Sequence, residues 1–112
     1  MWGSPGAALL ANLTDNELES VIEAIPDGQW KHETPDQLRK RVNDVRSDQI
    51  SESLGEHYLG LDTISTPLDT SFARAALTLV GFKGEMTPKT LPHLRRRLLE
   101  TARELDETLK DI

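Results

Sequence analysis

The 112-residue chain contains no cysteine, which excludes disulfides, thiolate metal sites and cysteine nucleophiles and fits a reducing compartment. A long apolar run is also missing. The stretch Ala7 to Ala11 is too short for a membrane span or a signal-peptide core, and no basic region precedes it. These absences point to the cytoplasm and away from the membrane. Positive charge is scarce too: 13 Lys and Arg stand against 19 Asp and Glu, a formal net charge of -6. Phosphate backbones repel such a chain, so no direct nucleic-acid contact is expected. The apolar fraction of 37% is lean for a globular core and hints at a surface completed by a partner. One domain, residues 1–112, accounts for the length, and no DNA-binding domain is recognised within it.

Motifs that carry chemistry are absent as well. There is no G-x-S-x-G elbow, no P-loop and no dinucleotide fingerprint. His32, His57 and His93 form no metal spacing and read as surface or boundary residues. Only His57, beside Glu56, stands close enough to a strand to approach a site. The carboxylates form no pair in an apolar setting of the kind that raises a pKa for acid–base work. No catalytic residue, metal ligand or cofactor is therefore assigned, and an enzyme acting on a small acid ranks last. Arg95-Arg96-Arg97 point to different sides of a helix, and the acidic residues from Glu100 to Asp111 follow closely, so the run reads as a solvated face.

What is present is well-punctuated secondary structure. Thr14 and Glu17 form a capping box, with Leu13 and Leu18 as the hydrophobic staple. Leu18, Val21, Ile22 and Ile25 then make one helical stripe that ends at Pro26-Asp27-Gly28. Thr34-Pro35-Asp36-Gln37 repeats the grammar and opens a second helix carrying Leu38, Val42 and Val45. From Tyr58 to Leu68 and from Phe72 to Gly81 the period falls to two, which predicts two strands joined by a tight hairpin at Asp69-Thr70-Ser71. In the first strand neither face is cleanly polar, so both should be covered. In the second, the Leu77 and Leu79 face is the core candidate. Gly81 to Gly84 reads as a turn. A long amphipathic helix follows, beginning at Thr87 or Thr90, with Arg96–Glu100 and Arg103–Glu107 as i, i+4 pairs.

Short matches then recur in order along nearly the whole chain. Gly6-Ala7-Ala8-Leu9-Leu10-Ala11 resembles a G-K-A-x-L-A run before an acidic helix, here Leu13 to Leu18. Val45-Arg46 closes the next helix, and Glu56 precedes Gly60-Leu61. Thr63 to Asp69 resembles C-x-A-A-P-V-x-D, and Ala75 to Gly81 resembles A-A-L-S-V-S-G. Met86-Thr87-Pro88 and the Leu105 region resemble the closing turn and helix. In this order the sequence resembles the carboxy-terminal half of the effector-binding domain of IclR-type bacterial transcription regulators.

The resemblance implies an α+β, GAF-like fold with an antiparallel sheet flanked by helices. It implies a small organic acid as effector and a homo-oligomer. Carried over by position, Ser4, Pro5 and Gly6 would form a turn offering backbone N–H groups, while Leu61, Thr63, Thr78 and Val80 would line the pocket. Ser53 stands where an acidic residue is usual, Thr63 where cysteine is common and Val80 where a second serine is expected, so a pocket poorer in donors is anticipated. A winged helix-turn-helix and the first strands of the sensing domain precede the Gly6 region in such proteins and are not recognised here, which leaves a sheet edge and an apolar face to be covered. Two functions follow: an effector-sensing fragment of a regulator, or a non-sensing module that pairs with itself or with a full-length regulator.

Overall fold

The computed structural model describes residues 3–31, 33–55, 60–70 and 73–110. Its elements are α1 (Gly3–Leu10), α2 (Asp15–Ala24), a 3-10 turn at Asp27–Gln29, α3 (Pro35–Asp48), β1 (Ser51–Leu54), β2 (Leu61–Leu68), β3 (Ala75–Phe82) and α4 (Leu91–Leu109). The three strands form an antiparallel sheet in the order β1-β2-β3. This is the α+β arrangement expected from sequence, with two elements added: α1 and the short β1.

Local chemistry explains the helix ends. The Thr14 hydroxyl accepts from the Glu17 N–H at 3.2 Å, and the Thr14 N–H donates to the Glu17 carboxylate at 3.0 Å. Those bonds hold the Glu17 carboxyl below its ordinary value. Thr34 and Gln37 repeat the box at 3.2 and 2.8 Å. The end of α3 is less comfortable. Its cap, Gln49, sits in the left-handed region at φ 68°, where a side chain crowds its own backbone and glycine is preferred. Gln49→Gly should raise the free energy of unfolding by about 0.5–1 kcal/mol, read as a higher urea midpoint at constant slope.

Two apolar clusters lie on opposite sides of the sheet. On one side α1, α2 and α3 pack together through Ala7, Leu10, Leu18, Ile22, Leu38, Val42 and Val45, with Leu13, Val21 and Trp30 at the margin. On the other, α4 lays Leu91, Leu94 and Leu98 against Ile64 and Leu77, with Met86 and Ile50 closing the cluster. The buried Asp62 carboxylate ties the start of β2 to the turn after β3 by accepting from the N–H groups of Gly84 (2.9 Å) and Met86 (3.3 Å). Both faces of β2 are covered, as its mixed pattern predicted.

Several sequence expectations need correction. Strands β2 and β3 begin at Leu61 and Ala75, with Gly60, Ala73 and Arg74 outside them, so more than the three residues expected of a tight hairpin separate the two strands. Tyr58, Ser71 and Phe72 lie outside the described residues, as do His32, Glu56 and His57. The Leu-led face of β3 is only partly core: Leu77 packs on the α4 cluster, whereas Leu79 is exposed. On α4, Glu100 is taken by Arg97 at i, i+3, and Arg96 meets the exposed His93 ring instead.

Candidate functional site

The strand register builds the site. Ser51, Ser65 and Thr78 stand opposite one another across the three strands, as do Ser53, Thr63 and Val80 one step along. Directly opposed and i, i+2 residues share a face of a sheet, so these six side chains form one patch, rich in hydroxyls. It faces α1, not α4. The buried Ser4, in the first turn of α1, reaches into it: its hydroxyl lies 2.7 Å from Thr63 Oγ1 and 2.8 Å from Ser65 Oγ. Ser65 in turn lies 2.8 Å from Thr78 Oγ1. Four hydroxyls thus form one connected chain from α1 to the outer strand. Ser51 belongs to the same layer and is buried, yet among the described residues its hydroxyl has no hydrogen-bond partner.

Ser4, Thr63 and Thr78, picked out from sequence, are therefore brought together, and Ser53 and Val80 share their face. Leu61 shares it too, at the far end of β2 and half-buried. The expected turn at Ser4-Pro5-Gly6 is not there: these residues begin α1, and Pro5 has no N–H to offer. As in any helix, the first-turn N–H groups of α1 have no intrahelical acceptor. Nor is the layer poor in donors, since Ser51 and Ser65 add two hydroxyls. Ser65 was legible as the residue two positions beyond Thr63. Ser51 was not, because it joins the layer only through the β1 pairing.

With this geometry in place, the sequence matches the family described as bacterial transcriptional regulator IclR C-terminal over residues 2–107. The chain belongs to the IclR family. Solved structures agree on the fold. A transcriptional regulator of Rhodococcus sp. RHA1 superposes with TM-score 0.84 at 24% identity, covering 97% of this chain and 47% of its own. The C-terminal domain of the E. coli regulator KdgR gives 0.79 at 20% identity, with 96% and 68% covered. The inducer-binding domain of Acinetobacter PobR, solved as a double mutant with 3-hydroxybenzoic acid, gives 0.74 at 24% identity, with 92% and 62% covered. This IclR chain thus spans about half the length of the Rhodococcus relative and about two thirds of the isolated domains. No curated protein sequence matches it significantly. IclR proteins are transcriptional regulators rather than enzymes.

The IclR chain also carries a cleft of about 830 Å³ between α3, the outer edge of β1 and α4. Its charges are cross-paired. Arg95 donates to both Glu52 oxygens at 2.5 and 2.8 Å, and that carboxylate holds the guanidinium more firmly protonated. Lys40 meets Asp44 at 3.2 Å, and Arg41 meets Glu33 at 2.9 Å. Ser51 borders this cleft as well, although its hydroxyl is itself buried. Among the described residues there is no cluster able to hold a metal ion and no helix long and apolar enough to cross a membrane.

Proposed function

We propose that this IclR domain senses a small organic acid on the hydroxyl layer between α1 and the sheet. Ser4, Ser51, Ser53, Thr63, Ser65 and Thr78 would supply donors, Leu61 and Val80 apolar contact, and the α1 amino terminus around Ser4, Pro5 and Gly6 a favourable dipole for the carboxylate. The observation that carries the reading is the buried, unsatisfied Ser51 hydroxyl beside Ser65. Leaving such a group without a partner costs about 1–3 kcal/mol, which a ligand oxygen would recover. The PobR complex supports a hydroxy-aromatic or similarly small acid as effector.

Binding would act through α1. Its Ser4 hydroxyl is bonded to the strand hydroxyls an acid would contact, so occupancy competes with Ser4 and shifts α1, which carries the helical layer with it. That biases the subunit arrangement, and in a complete regulator operator affinity, without any residue performing chemistry. The whole of residues 1–112 serves as one part of an effector domain, in the cytoplasm, within a homo-oligomer and without touching DNA itself.

A thermal-shift screen against small aliphatic and aromatic acids tests the reading. A binder present at a hundredfold excess over its Kd should stabilise the chain by about 2.7 kcal/mol. Ser51→Ala should melt no lower than the wild type without ligand yet lose most of that response, and Thr63→Val and Thr78→Val should lose it too. Absence of a shift with every acid, or a shift unchanged by all three substitutions, sinks the proposal.

A further inference from the structure

Two cross-strand pairs of the hydroxyl layer differ in spacing, and the register sets the difference. The Gly55 N–H donates to the Leu61 carbonyl at 3.0 Å. Hydrogen-bonded pairs alternate along an antiparallel ladder, so Ser51 with Ser65 is one of them. The Lys83 N–H donates to the Gly60 carbonyl at 2.8 Å, which makes Ser65 with Thr78 a non-hydrogen-bonded pair. Opposed Cα atoms lie about 5.5 Å apart in the first kind and about 4.5 Å in the second. The Ser65 and Thr78 hydroxyls therefore meet, at 2.8 Å. Ser51, on the same row and only 2% exposed, falls short of Ser65 and has no hydrogen-bond partner among the described residues.

The layer also carries more protons than bonds. Each hydroxyl has one proton to give and two lone pairs to receive. Thr63, Ser4, Ser65 and Thr78 hold four protons and share three bonds, so one proton is always left over, and the bonds run toward whichever hydroxyl keeps it. When Thr63 donates to Ser4, and Ser4 and Thr78 both donate to Ser65, the spare proton is on Ser65. Directly opposite stands Ser51 with its own unspent proton. A buried donor without an acceptor is costly, and an unused lone pair is less so. The gap between these two serines thus suits a single oxygen that accepts two protons and brings none.

Nothing at this spot offsets a charge. Ser51, Ser53, Thr63, Ser65, Thr78 and Val80 are all uncharged, and so is every residue of α1. A carboxylate buried in the gap would lose its hydration without gaining a cation. The oxygen of a ketone or aldehyde accepts only, and is neutral. We propose that the effector is an oxo acid whose carbonyl oxygen lodges between Ser51 and Ser65 and accepts a proton from each. The inference rests on the acid-sensing reading above and assigns the parts of the ligand. The carboxylate stays at the amino terminus of α1 beside Ser4, and the carbonyl is read by the strands. An alcohol in the carbonyl's place brings a further proton that needs its own acceptor. An unsubstituted acid leaves both serine protons unspent. The expected order of affinity is therefore oxo, then hydroxy, then unsubstituted.

Calorimetric titration of the chain with two matched sets of acids tests the order: pyruvate, lactate and propionate, and the aromatic phenylglyoxylate, mandelate and phenylacetate. In at least one set the oxo acid should bind about tenfold or more tighter than the unsubstituted acid, because a site built to hydrogen-bond a group rejects the analogue that lacks it. Ser51→Ala breaks no hydrogen bond of the free protein, so its urea midpoint should not fall, yet it should bring the oxo acid down to the affinity of the unsubstituted one. Equal affinities within both sets, or a hydroxy acid that binds tightest, overturn the carbonyl seat and leave acid sensing standing; a buried water then fills the gap. An oxo preference that survives Ser51→Ala overturns the seat as well. If none of these acids binds while the thermal-shift screen finds another that does, the oxo class is wrong. If that screen is also empty, acid sensing itself fails and the inference falls with it.

Discussion

Replacing Arg41 with methionine is expected to lower the free energy of unfolding by about 3–5 kcal/mol, the usual cost of removing one partner from a buried ion pair. The Glu33 side chain is fully buried, and the Arg41 side chain is only 16% exposed, with Nε 2.9 Å from the carboxylate. Arg41 also donates to the Glu52 carbonyl on the outer edge of β1, so a single guanidinium ties the turn before α3, α3 itself and the sheet. Methionine fills much of the space of the arginine stem. It removes the Arg41 guanidinium from the buried Glu33 carboxylate and the donor from an edge carbonyl. For a domain whose whole stability is about 5–15 kcal/mol, that loss is severe. Urea unfolding of Arg41→Met and of the double variant with Glu33→Met separates the causes. The double variant should recover most of the loss, because no uncompensated charge remains. A single-variant cost below about 1 kcal/mol would mean that water screens the pair as it does on a surface.

Leu38→Ala should cost about 2–5 kcal/mol, the range for removing a fully buried leucine and leaving a cavity. Leu38 is wholly buried in the helical layer, in one cluster with Ala7, Leu10 and Val42. Its consequence reaches the site. α1 packs on α3 through apolar side chains and bonds to β2 through Ser4, so loosening the packing should weaken the bonds of Ser4 to Thr63 and Ser65. Chemical denaturation gives the first effect. The second should appear as an acid-induced thermal shift that is smaller than in the wild type. A cost below about 1 kcal/mol would show that the three helices close over the missing side chain without strain.

Elements announced by capping chemistry were legible because a cap is a local event. Thr14 with Glu17 and Thr34 with Gln37 need only three residues of context, and both boxes form. α1 was not legible. Gly3-Ser4-Pro5-Gly6 is poor helix material, and because most of α1 is buried it shows no polar stripe by which to recognise a helix. β1 failed for a related reason: Ser51-Glu52-Ser53-Leu54 lacks the apolar alternation of a strand, since its inward residues are serines set in the hydroxyl layer. Among the site residues, Thr63 and Thr78 came from the resemblance, and Ser65 follows from Thr63 by strand periodicity. Ser51 required the cross-strand register, and the bonds of Ser4 required knowledge of the helix on which it rides. The same limit applies to β3. Its apolar pattern marks a strand, but only the register places it beside β2 as the outer one of the three described strands.

The hydroxyl layer separates the two apolar clusters with a polar seam. Across the α4 side of the sheet, separation exposes leucine, isoleucine and methionine surface to water. Across the α1 side it exposes hydroxyls, which water solvates readily. Helices α1 to α3 therefore meet the sheet through a boundary that is polar at its centre, with the Arg41 bond to the Glu52 carbonyl as a second polar tie at its margin. If the proposed acid binds there, it enters the one boundary of the fold where it displaces hydroxyl contacts rather than apolar ones.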